Sequence, residues 1–195
     1  FLIMGKNLIS HSRSSFILFG RNLFAYFLGL SLGYSPAFAD EVTVAVASNF
    51  ITPMQKLVAD FEQKSEHSIT LVSGSSGRFY AQISHGAPFD LLLSADSDKP
   101  ARLINDGLAL PSNLFTYAYG RLVLWTAEAG QVVNEKTLSN AEFTHLAIAN
   151  SKLAPYGKAA KEVLTQLGLA KATRSRWVVG ENISQTYQFV ASQNA

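Results

Sequence analysis

VSGSSGRFYAQI, Val72 to Ile83, sets two serines between two glycines, Gly74-Ser75-Ser76-Gly77, directly after an apolar run and directly before a helical pattern. That is the form of a strand-to-helix turn, and the chain on either side repeats it. Upstream, Val42-Thr43-Val44-Ala45-Val46-Ala47 is β-branched and apolar and ends at Ser48-Asn49, as a buried strand would. The period then changes: Met54, Leu57, Val58 and Phe61 form a helical stripe, with Thr52, Pro53 and Gln55 as cap, first-turn proline and capping-box partner. Asn49 offers an alternative start one turn earlier.

Ile69 to Val72 is a second strand, Phe79 to Ser84 a short helix, and Asp90 to Ala95 a third strand without polar alternation, which belongs inside a parallel sheet. Asp98 to Asp106, closed by Gly107, completes a β-α-β-α-β-α series with right-handed crossovers. Leu114 to Ala118 and Leu122 to Thr126 are extended and aromatic, suited to crossing into a second lobe. There the alternation resumes: His145 to Ala149 as strand, Lys158 to Leu167 as helix before Gly168, Trp177 to Val179 as strand and Ile183 to Ser192 as helix. The expected class is α/β, in two lobes, each a mostly parallel sheet flanked by helices.

Composition narrows the function. The chain has 195 residues, 48% hydrophobic, 15% charged and no cysteine, which fits a globular chain without disulfides. Lys6, Arg13 and Arg21 precede the apolar run Leu23 to Leu32, and Ala37-Phe38-Ala39 follows as a small-x-small cleavage pattern, so residues 1–39 read as a signal peptide. The run is broken by Gly29, Gly33 and Pro36 and is shorter than the roughly 20 residues a spanning helix needs, so no membrane anchor is expected. Without those three basic residues the formal +2 becomes −1. A nucleic-acid partner is not expected, because the remaining cations are scattered. The first residue, Phe1 with Met4 behind it, and the last helix ending at Gln193-Asn194-Ala195 without a following strand both read as boundaries of a truncated chain.

In open α/β sheets ligands bind beyond the carboxyl ends of the strands. Four such junctions carry unusual sequence: Ser48-Asn49, Gly74-Ser75-Ser76-Gly77, Ala154-Pro155-Tyr156-Gly157 and Gly180-Glu181-Asn182-Ile183. A helix N-terminus offers N–H groups and partial positive charge, and a serine adds a hydroxyl donor, so these turns suit an anion. Taken singly, each serine or asparagine is equally an ordinary cap, Tyr156 a surface aromatic and Ile183 a core residue. The coincidence of four, two per lobe, is what favours a cleft.

Catalysis has weaker support. Gly74-x-Ser76 is followed at once by Gly77, which is not the spacing of a nucleophile elbow. His67, His85 and His145 show no metal-ligand spacing, and Asp96 and Asp98 read as helix-start carboxylates beside Asp90. No phosphate loop occurs.

At these junctions the chain resembles the periplasmic molybdate-binding proteins that feed ABC transporters. The likeness runs from Val42 to Ala195 through AVASNF, VSGSSGRFYAQISHGAPFDLLLSAD, YGRLVLW, LAPYGKAAKEVLTQLGL and VVGENISQTYQFV. It implies a two-lobe periplasmic binding protein of type II, a hinged cleft holding one tetrahedral dianion by neutral donors, and no cofactor or metal-cation ligand. Carried over by position, the contacts fall on Ser48, Asn49 and Ser76 in the first lobe, residues 40–118. In the second, residues 119–195, they fall on the backbone N–H groups of Tyr156 and Ile183. A small residue other than glycine stands at the place of Gly77 in some members, and a further tyrosine contact of some members would lie beyond Ala195. The implied function is a periplasmic, monomeric receptor for molybdate, with tungstate, that hands its ligand to a membrane permease. The rivals are a receptor for another oxyanion such as sulfate, a secreted hydrolase using Ser48 or Ser76, and a fragment that binds nothing.

Overall fold

The computed structural model describes residues 2–4, 41–140 and 142–195. The expected leader, residues 1–39, therefore lies outside the described residues except for Leu2–Met4. Those three residues form β1, and with Glu41–Ala47 (β2), Ser68–Gly74 (β3) and Leu91–Leu93 (β4) they build one sheet in the order β1-β4-β2-β3. β2 runs parallel to both β3 and β4, whereas β1 lies antiparallel along the outer edge of β4.

Ile51–Glu62 (α1), Ser76–Ser84 (α2) and Asp98–Asn105 (α3) follow the three parallel strands. The chain moves from β2 to β3 on one side and from β3 back past β2 to β4 on the other. Right-handed crossovers then put α1 and α2 on opposite faces of the sheet. The core follows suit: Val44 and Val46 pack with Met54 and Val58 of α1, while Ala45 packs with Phe79 of α2 and Leu103 of α3. Burial of β2 on both faces is why Val42 to Ala47 shows no polar alternation.

The second sheet pairs Leu146–Ala149 (β5) with Trp177–Gly180 (β6) in parallel, in register from Leu146–Trp177 to Ala149–Gly180. Its helices are Glu135–Ser139 (α4), Pro155–Gln166 (α5), Ala170–Thr173 (α6) and Ile183–Ala191 (α7). α5 and α7 both start just past a strand's carboxyl end, which brings four helix beginnings, two per sheet, to one crevice. Gly107 and Gly168 take φ of +72° each, the left-handed geometry expected where helices end.

One expectation needs correction. Thr52, Pro53 and Gln55 do not start the first helix: a 3-10 turn over Ser48–Phe50 runs straight into α1, so helical geometry begins at the strand end and no side chain caps it. Over residues 116–126 the crossing segments join no sheet. A strand needs a neighbour for its N–H and C=O groups, and among the described residues none runs beside this segment, where Leu122, Val123 and Trp125 stay exposed. Among the described residues no helix is long and apolar enough to cross a membrane.

Candidate functional site

Ser48, Asn49, Ser76, Tyr156 and Ile183 line a single cavity, together with Ala47, Gly74, Ser75, Ala95, Ala154, Pro155 and Asn182. All four junctions contribute. The space is small, ≈ 10 Å³. That is far below the 300 Å³ or so at which drug-sized pockets begin, so the crevice has no room for a large ligand. A broader hollow of ≈ 470 Å³ adjoins it, sharing Asn49, Ala95, Pro155 and Tyr156, and is walled by Phe50, Tyr117 and Tyr119 beside the crossing segment.

Local structure decides which donors are left over. In α5, Pro155 has no N–H, and the N–H groups of Gly157 and Lys158 both go to the Ala154 carbonyl. The Tyr156 N–H is what remains of that first turn. In α7, Asn182 caps the helix by accepting the Gln185 N–H on Oδ1 at 2.9 Å and the Thr186 N–H on its carbonyl, and the Ser184 N–H turns to Ser48 Oγ. Here the remainder is the Ile183 N–H. The two backbone donors implied by the resemblance are thus the ones the helix caps leave unused.

The first sheet supplies hydroxyls. Ser76 is fully buried, and its Oγ accepts the Ala95 N–H at 2.9 Å. A hydroxyl has one proton and two lone pairs; with a lone pair so occupied, its proton is turned elsewhere as a donor. Ser48 is buried too, at 6% exposure, whereas the Asn49 side chain is exposed at the border with the broader hollow.

Among the described residues no Asp, Glu, His, Lys or Arg lines the cavity. At its rim Arg78 and Glu181 pair with each other at 3.6 Å, leaving no net charge there. Tyr117, on the wall of the hollow, is pushed up to about 12 by burial and secondarily by Tyr156, so its phenol stays neutral. The chemistry of the crevice is donor-rich, with no carboxylate, imidazole, amine or guanidinium among the described residues of its wall.

The histidines lie elsewhere. His85 follows the C-terminal end of α2, whose first residue is Ser76, and its Nδ1 sits 2.7 Å from the Ala81 carbonyl. His67 precedes β3 and His145 precedes β5, at the ends of those strands away from the crevice. Across a seven-residue strand, at roughly 3.3 Å per residue, about 20 Å separates His67 from the crevice. Among the described residues the two Oγ atoms meet backbone N–H groups, of Ser184 and Ala95, rather than the adjacent base a nucleophile needs. Asp98 does lie in the first turn of α3, and Asp96 Oδ1 accepts the Lys99 N–H there at 3.2 Å.

A family model described as bacterial extracellular solute-binding protein matches residues 42–195. The chain is 43% identical to the molybdate-binding protein ModA of Rhodobacter capsulatus over 176 residues, 90% of this chain and 69% of that protein. To its namesake in Azotobacter vinelandii it is 46% identical over 169 residues, 86% and 67% of the two lengths. The solved structure of the Azotobacter vinelandii periplasmic molybdate-binding protein superposes with a TM-score of 0.75 at 41% identity, covering 79% of this chain and 68% of that one. That protein's two-lobe α/β fold is the one described above.

Proposed function

Since this chain belongs to the family of bacterial extracellular solute-binding proteins, we propose that it is a periplasmic receptor that closes two lobes, residues 40–118 and 119–195, on molybdate or tungstate. It then hands the anion to the permease of an ABC transporter, acting as a monomer and without catalysis. The observation that carries this reading is the convergence of two serine hydroxyls and two spare helix N–H groups on one cavity lined by no ionisable carboxylate, amine or imidazole. Asn49 adds the amide that borders the mouth. The names of the relatives support molybdate as the solute.

The energetics allow a dianion without a countercharge. About five to seven hydrogen bonds to a charged group, at roughly 1.5–3 kcal/mol each, give on the order of 10–20 kcal/mol. Association costs about 4–15 kcal/mol, which leaves micromolar or tighter binding. A donor-only site also discriminates. Hydrogen phosphate brings a proton that meets no acceptor, so one donor faces another.

Calorimetry tests this. Molybdate should bind tightly, sulfate weakly and phosphate without measurable heat, and a folded chain that ignores molybdate would overturn the reading. The affinity should also stay flat between about pH 6 and pH 9, because no carboxylate, imidazole or amine lines the cavity among the described residues and burial holds the Tyr117 phenol up to about 12. A step in Kd within that range would point to an ionisable contact.

A further inference from the structure

Ser184 is not among the residues that line the cavity, yet it ties the two lobes together at its edge. Its hydroxyl donates to the Ser48 carbonyl oxygen at 3.1 Å, and its N–H lies 3.4 Å from Ser48 Oγ. The two residues are 136 positions apart, one in the turn after β2 and the other in the first turn of α7. Two further contacts span the crevice nearby. The Gly77 N–H donates to the Leu153 carbonyl at 2.9 Å, and Arg78 pairs with Glu181 at 3.6 Å. The ion pair is exposed on both sides and therefore weak and salt-screened. The Gly77 bond joins backbone to backbone. Ser184 is the cross-cleft contact that works through a polar side chain in a half-buried place.

We propose that Ser184 is the closure-positioning residue of this cleft. Its hydroxyl holds the start of α7, and with it the Ile183 N–H, against the Ser48 turn. Its N–H occupies a lone pair of Ser48 Oγ, so the single proton of that hydroxyl is directed away from α7 as a donor. This is the same arrangement that the Ala95 N–H gives Ser76, but supplied from the opposite lobe, so it forms only when the lobes are together. The inference rests on the cavity being the anion site, and it adds that donor orientation at Ser48 is coupled to closure.

The test is Ser184→Ala beside Ser184→Thr in the full chain. Ala removes the hydroxyl bond to the Ser48 carbonyl, while Thr keeps it. Ser184→Ala should raise the molybdate Kd about two- to tenfold, the worth of one neutral hydrogen bond. The change should appear in the dissociation rate and leave association unaltered, because closure follows capture. Ser184→Thr should restore the wild-type rate. A second readout needs no anion. The chain has no cysteine of its own, so Arg78→Cys with Glu181→Cys forms a unique cross-cleft pair for a short bismaleimide. Adding Ser184→Ala to that pair should lower the crosslinking rate. An unchanged crosslinking rate, or an unchanged dissociation rate in Ser184→Ala, would overturn the role of Ser184. If the parent chain crosslinks and responds to Ser184→Ala but binds no molybdate, the anion reading fails and the closure contact stands.

Discussion

Gly157→Ala is expected to destabilise the folded chain by ~2–3 kcal/mol and to remove anion binding with it. Gly157 is the third residue of α5 and is buried against the end of β5. A methyl group there would fall on the Ala149 carbonyl oxygen, 2.5 Å from its carbon and 2.9 Å from the Asn150 carbonyl carbon. All three are backbone atoms in or next to a strand, so none can swing aside as a side chain would. Alanine does bring helix propensity worth about 1 kcal/mol over glycine. Overpacking in a close contact costs typically 1–3 kcal/mol and occasionally more, and a backbone collision lies at the upper end, so the steric cost prevails. Relief requires the start of α5 to lift from β5. That movement carries away Tyr156, whose N–H is the spare donor of the turn. Urea denaturation should show the loss of stability, and calorimetry at a temperature where the variant remains folded should show the loss of molybdate binding. A variant with the wild-type midpoint and Kd would mean that α5 packs more loosely than described.

The strands were legible because their burial is two-sided. Val44 and Val46 face one helix layer and Ala45 the other, so the sequence from Val44 to Ala47 is apolar throughout. The start of α1 was misread for a physical reason. Thr52-Pro53-Gln55 has the chemistry of a cap, but helical geometry entered at Ser48 through a 3-10 turn leaves no N-terminus at Thr52 to be capped. The crossing segment reads as extended and aromatic, and whether such a segment joins a sheet depends on a neighbour that local sequence does not specify. Short α4 and α6 escaped notice because four or five residues are too few to show a period; the Asn134 capping box of α4 was the available signal.

For the crevice, the four junctions could be found from residue types alone, but not the donors within them. Tyr156 and Ile183 were implied by family resemblance, since a backbone N–H leaves no mark on its own side chain. Their selection becomes physical once Pro155 and the cap at Asn182 are seen to use up or remove the neighbouring donors. Ser184 and the Ala95 N–H had no signal at all. A serine in the first turn of a helix and an alanine past a strand are ordinary there, and their partners lie far off in sequence.

Ser76→Ala is expected to weaken molybdate binding roughly ten- to a hundredfold, more than any other single side-chain truncation in the cavity. The hydroxyl is fully buried at the first residue of α2, where the helix field favours negative charge. A hydrogen bond to a charged group contributes about 1.5–3 kcal/mol, and 1.4 kcal/mol corresponds to tenfold in Kd. The substitution has a second effect in the anion-free protein. It deprives the Ala95 N–H of its acceptor at 2.9 Å, and a buried unpaired N–H costs about 1–3 kcal/mol. Stability and affinity should therefore fall together, unlike Ser184→Ala, in which affinity moves through dissociation. Ser76→Thr separates the two effects, because it retains the hydroxyl while adding a methyl group in a crowded place. If its Oγ keeps the Ala95 bond, stability recovers even where the anion is displaced. Ser75→Ala is the neighbouring control: its hydroxyl makes no cap bond although it lies in the same wall, and its loss should leave the affinity close to wild type. Equal Kd values for wild type and Ser76→Ala would mean that the Ser76 hydroxyl does not hold the anion and serves only to accept the Ala95 N–H.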